Sequence, residues 1–142
     1  MKKLRRALSL VPTACDVYIS YTKPPSNFLN SPTERRGRWA VHFVYNDGIV
    51  VTCEVVLDTA SGDVIGTIKE TARTGLQHAV CVGPGRVTRE KIRSTARKLN
   101  MRSWTQQSEQ KGDPCLDFFK ELLTKLDIQV SDSLLLRAKC KT

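Results

Sequence analysis

The chain has 142 residues, 40% apolar and 26% charged, with eight glycines and six prolines. This composition describes one soluble globular domain and excludes a fibrous or disordered chain, and no apolar run approaches the length of a membrane-spanning helix. Twenty-three Lys and Arg against fourteen Asp and Glu leave a formal charge of +9. That favours an anionic partner, whether nucleic acid, an anionic membrane or an acidic protein or substrate, without choosing among them.

The N-terminus, Met1-Lys2-Lys3-Leu4-Arg5-Arg6, opens with four positive charges. The apolar stretch that follows is short and broken by Pro12. Residues 1–15 therefore read as a solvated basic arm on a cytoplasmic protein; a targeting peptide, with export or an organelle as destination, is the alternative. Residues 16–130 form the expected domain. Asp16 to Thr22 alternates like a half-buried strand. Lys23 to Gly37, with Pro24-Pro25, Ser31-Pro32 and Arg35-Arg36-Gly37, has the composition of a loop. Arg38–Tyr45 and Ile49–Leu57 are β-rich runs separated by Asn46-Asp47-Gly48, the signature of a hairpin. In the first run Trp39, Val41, Phe43 and Tyr45 share one face, while Arg38, Ala40, His42 and Val44 share the other.

Strands are expected at Val64–Lys69 and at Leu76–Val82, the latter ended by a Gly83-Pro84-Gly85 turn. Thr88 N-caps a helix that runs to about Asn100, with Ile92, Ala96 and Leu99 as its apolar stripe. Arg102–Gln107 reads as a short strand and Ser108–Gly112 as a polar loop. Asp113 N-caps a second helix with Pro114 in its first position, and Cys115, Phe118, Phe119, Leu122 and Leu126 form its buried face. Residues 131–142 are either a last docked helix or a frayed basic tail. Strands, helix, strand and helix in this order make an α+β domain, an antiparallel sheet packed against a cysteine-bearing helix.

The five cysteines, Cys15, Cys53, Cys81, Cys115 and Cys140, are odd in number and widely spaced, without a C-x-x-C. They read as free thiols in a reducing compartment, with no zinc site or other metal centre. Cys115 is the sharpest chemical candidate. It lies in the first turn of a helix, where unpaired amides favour a thiolate, although its place on the apolar stripe also fits a buried core cysteine. His42 is the candidate base. A two-residue turn at Asp47-Gly48 would set it opposite Cys53, a rival dyad, whereas a longer turn would bring Thr52 or Glu54 beside the imidazole to orient it. His78 reads as structural. Arg89, Arg93 and Arg97 recur at helical spacing and make a cationic face, suited to phosphates or acidic groups or simply solvated.

The order of these motifs resembles the circularly permuted papain-like thiol enzymes, in particular the lecithin:retinol acyltransferase-like and H-rev-like branch and its fungal relatives. The resemblance rests on Val17-Tyr18-Ile19-Ser20, Arg38-Trp39-Ala40-Val41-His42, Asp47-Gly48, the helix around Arg89–Leu99, Arg102-Ser103-Trp104-Thr105 and Asp113-Pro114-Cys115-Leu116-Asp117-Phe118-Phe119. It implies a permuted papain-like fold over residues 16 to 128. It also implies a cysteine-dependent hydrolase or acyltransferase acting on an amide, thioester or ester, with no cofactor. Cys115 would be the nucleophile, His42 the base, Glu54 or Thr52 the orienting group, and backbone amides at the start of the cysteine helix would hold the oxyanion.

The sequence departs from the family at two places. Arg38 stands where the family has its histidine, and an arginine cannot serve as a base near neutral pH. His42 lies four residues on, about 13 Å along a strand. Pro114 replaces the asparagine that precedes the family's cysteine. A catalytically degenerate member is therefore one expectation. The other is a non-catalytic basic module that binds nucleic acid, an anionic membrane or an acidic protein through Arg38, Arg89, Arg93 and Arg97.

Overall fold

The computed structural model describes residues 14–23, 37–58, 60–72, 76–104 and 113–140. Five strands, β1 (Ala14–Thr22), β2 (Arg38–Tyr45), β3 (Ile49–Asp58), β4 (Asp63–Ala72) and β5 (Val80–Arg86), form one sheet in the order β4-β3-β2-β1-β5. Every neighbouring pair is antiparallel. Among the described residues three helices follow: α1 (Arg89–Asn100), α2 (Pro114–Lys125) and α3 (Asp132–Cys140). The α+β class with an antiparallel sheet against the Cys115 helix is as expected.

Strand alternation decides which residues become core. Val17, Ile19, Trp39, Val41, Phe43, Val51, Cys53 and Val55 point to one face and are buried there. The helices supply the other half of that core through Ile92, Ala96 and Leu99 of α1, Cys115, Phe118, Phe119 and Leu122 of α2, and Leu135 and Ala138 of α3. α2 lies across β2, β3 and β4, α1 packs on β4, and α3 packs on β1 and β5. Trp39 stacks on Phe119 with ring centroids 5.2 Å apart, which pins the cysteine helix to the centre of the sheet. Gly66 lies beneath it, where a Cβ would stand a tight 3.1 Å from the Phe118 ring.

The hairpin register follows from its loop. Asn46, Asp47 and Gly48 make a three-residue connection in which Gly48 takes φ +86° and donates its N–H to the Tyr45 carbonyl at 3.0 Å. With that length His42 pairs with Thr52, and the two-residue alternative that would set it opposite Cys53 does not form.

Both helix caps are as expected. Thr88 Oγ1 accepts from the Lys91 amide at 3.1 Å, and Asp113 Oδ1 accepts from the amides of Cys115 and Leu116 at 3.1 and 3.2 Å.

Two expectations need correction. Gly83-Pro84-Gly85 is not a turn after a strand but lies within β5, which starts at Val80 rather than Leu76. β5 is an edge strand, where a proline's missing N–H leaves the ladder intact. Its glycines serve two different needs: a Cβ at Gly85 would come within 2.9 Å of Val17 Cγ2, and Gly83 adopts φ +132° beside the register shift at Val17/Tyr18. Arg102–Trp104 is not a strand. The Trp104 indole instead folds back to donate to the Leu99 carbonyl at 2.8 Å, with residues 105–107 outside the described part. Of the two readings of the C-terminal segment, the structure has the docked helix, packed through Leu135 and Ala138. The N-terminal arm up to residue 13, most of the loop after β1 and the Ser108–Gly112 loop lie outside the described residues.

Candidate functional site

Cys115 sits in the first turn of α2, as the Asp113 cap and Pro114 dictate, and its side chain enters the core at 1% exposure. Its surroundings are aromatic. Tyr21 tilts against Trp39 at 4.8 Å, and the Tyr21 hydroxyl accepts from the Gly37 amide. Burial raises the Tyr21 pKa, and Asp113 and Cys115 lie near enough to push it the same way. The buried Trp39 Nε1–H has no hydrogen-bond partner among the described residues.

His42 is on the other side of the sheet. Its strand neighbours Val41 and Phe43 are fully buried against the helices, so alternation turns the imidazole to the face that no described helix covers. There its Nε2 lies 2.8 Å from Ser20 Oγ and its Nδ1 lies 2.9 Å from Thr52 Oγ1. Burial, aided by the charge of Lys69, pushes its pKa down to about 4, so the ring is neutral near pH 7. The expected Cys115–His42 dyad is therefore not assembled: the sheet itself stands between thiol and imidazole. Cys53 fails as its substitute for the same reason, because it points into the core, where burial, aided by the neighbouring Glu54 charge, pushes the thiol up to about 12.

Of the two expected orienting groups, Thr52 does bond the imidazole. Glu54 shares that face but is engaged with Arg38, at 3.7 Å. Arg38 is thus on the face turned away from the described helices and does not stand beside Cys115. Sequence reasoning missed Ser20 and Lys69. The β1 alternation placed Ser20 with Tyr18, but only the pairing across the long loop, with Tyr18 against His42, brings its hydroxyl to the ring.

The cationic residues fall into two groups. Arg89 is held at the core end of α1, in an ion pair with Asp47 and with its guanidinium carbon 4.7 Å above the Tyr45 ring. It braces the hairpin to α1. Arg93 pairs with Glu70 of β4 at 2.7 Å, both side chains remaining well exposed. Arg97 is exposed one turn further, and with Arg93, Lys69 and Asn100 it lines an open groove of about 490 Å³ along β4. Lys91 and Lys98 flank these on the solvent side. His78 is exposed in the turn before β5. No group of three or more His, Cys, Asp or Glu among the described residues could hold a metal ion, and no described helix is long and apolar enough to cross a membrane. Comparison with family models, curated proteins and solved structures returns no match.

Proposed function

We propose that this chain is a divergent relative of the permuted papain-like enzymes that acts as a polyanion-binding module rather than as a thiol enzyme, and that its ligand is the phosphate backbone of a nucleic acid. The observation that carries the reading is the disposition of α1. Its apolar stripe is buried, while Lys91, Arg93, Arg97 and Lys98 stay exposed on the rest of the helix. Arg93 and Arg97 are one turn apart, about 6 Å along the axis, so both can engage one strand of phosphates. The Arg93–Glu70 pair is exposed and worth little, so a phosphate can compete for the arginine.

A membrane is less well served by this surface. Met101 is the exposed large hydrophobe at the end of α1, and a single apolar side chain is no patch for insertion into lipid. A thiol enzyme would need Cys115 and His42 on one face of the sheet, and they occupy opposite faces.

The test is a titration of labelled duplex RNA at increasing salt. Four phosphate contacts predict a loss of affinity on the order of 100-fold between 50 and 200 mM salt. The double variant Arg97→Glu/Lys98→Glu should flatten that dependence, whereas Cys115→Ser should leave it unchanged. Binding that ignores salt, or that survives the charge reversal intact, overturns the reading. Preference for phosphatidylserine vesicles over duplex at matched charge would give the surface to a membrane instead and equally defeat the proposal.

A further inference from the structure

The α1 surface carries more than positive charge. At about 100° per residue, the buried stripe of Ile92, Ala96 and Leu99 fixes which side chains project from the molecule. Glu90, Ser94 and Met101 fall within about 40° of one another on the line opposite that stripe. All three are exposed, Met101 at 83%. The cations flank this crest. Arg93 and Arg97 stand on the side of β4 and Lys91 and Lys98 on the other, the two pairs about 130° apart around the axis. The elements that α1 packs on, β4, α2 and β3, lie behind the stripe, so the crest points away from them.

Resting on the phosphate reading of α1, we infer that this helix enters the major groove of B-form DNA and that Glu90 reads a cytosine there. A helix that only coated phosphates would carry its cations on the crest. Here the most projecting line holds an acid, a hydroxyl and a thioether, and phosphate repels an acid. Base edges offer these three groups partners. The Glu90 carboxylate accepts from a cytosine N4 amino group. Ser94 Oγ donates to the Lys91 carbonyl at 3.3 Å and so keeps its lone pairs for a base amino group. Met101 suits the thymine methyl group. The dimensions agree as well: a helix with its side chains is about 10–12 Å across, and the B-form major groove is about 12 Å wide. Arg93 and Arg97 then face the phosphates of one strand, Lys91 and Lys98 those of the other. An A-form RNA duplex offers phosphates to the same four cations, but its deep, narrow major groove cannot be read by side chains, so binding there is blind to sequence.

The experiment incubates the full chain with short DNA duplexes of randomised centre and sequences those retained, with an RNA pool of the same design beside it. Salt is held at about 150 mM, which thins the sequence-blind phosphate attraction. The expected result is a retained DNA set in which one cytosine is fixed, and no enrichment from RNA. Changing that base pair should weaken binding about tenfold. Glu90→Gln should move the preference at that position from cytosine to adenine, whose N6 and N7 suit an amide, and Glu90→Ala should remove it. A carboxylate that merely supports the first turn of α1 would change helix stability and leave the retained sequences as they were. Salt-dependent binding of both pools with no enriched sequence overturns the inference and leaves the phosphate reading standing, whereas binding indifferent to salt defeats that reading itself. A retained site without a Glu90-dependent cytosine, or equal enrichment from the RNA pool, also overturns the inference.

Discussion

His42 is the residue whose environment has the clearest thermodynamic consequence. Burial first, and the Lys69 charge second, push its pKa down to about 4, against about 6.5 in an unfolded chain. Between those values the unfolded chain binds a proton that the folded chain does not. Stability from this group is therefore full above about pH 6.5, falls as the solution is acidified, and is lost by about pH 4. The size is at most about 3 kcal/mol. Urea unfolding of the wild type should show this decline between pH 6.5 and 4. In His42→Gln, which keeps a donor and an acceptor but does not titrate there, the decline should be shallower. Equal slopes for the two proteins would mean that the imidazole is not held neutral by the fold.

At the scale of elements, two side chains act as substitutes for backbone. Asp113 accepts from two amides at the start of α2, and Asp113→Ala should cost about 1 kcal/mol, read as a lower urea midpoint with an unchanged slope. Asn100 does the same for a sheet edge. Its Oδ1 accepts from the Gly66 amide at 2.7 Å and its Nδ2 donates to the Gly66 carbonyl at 3.1 Å, filling the place a neighbouring strand would take on β4. Asn100→Ala should cost about 1–2 kcal/mol and promote association through that edge, visible as concentration-dependent light scattering.

Asp113 was legible because a cap and a proline at the first helical position announce themselves locally. Asn100 was not, because its partner is 34 residues away and nothing near either residue links them. The Gly83-Pro84-Gly85 error has the same origin. Locally these residues spell a turn, and only membership of an edge strand makes a proline and two glycines compatible with β structure.

For the whole molecule, the decisive fact is that the sheet has two unlike faces. Alternation in β2 foretold that Trp39, Val41 and Phe43 would point away from His42, and the hairpin followed from Asn46-Asp47-Gly48. The expected dyad, however, placed a cysteine helix on the histidine's side. Sequence alone gives the parity of a strand but not which parity the helices will cover. Here Trp39 and Phe43 recruited α2, because they bury far more apolar surface than Ala40 and Val44 could offer. Cys115 went with the helix into that core. The cationic stripe of α1 was visible from spacing alone, but its partition into a brace at Arg89 and an exposed face around Arg97 depended on two distant acidic residues, Asp47 of the hairpin loop and Glu70 of β4.

The measurement that bears most directly on this account is the alkylation of each cysteine by iodoacetamide at neutral pH, in the wild type and in His42→Ala. Cys81 and Cys140 are exposed and serve as internal references. The account predicts that both react readily while Cys115, at 1% exposure, is protected in the folded chain, and that its rate is the same in both proteins. Rapid alkylation of Cys115 that disappears when His42 is removed would contradict it, for then thiol and imidazole would have to meet on one face of the sheet.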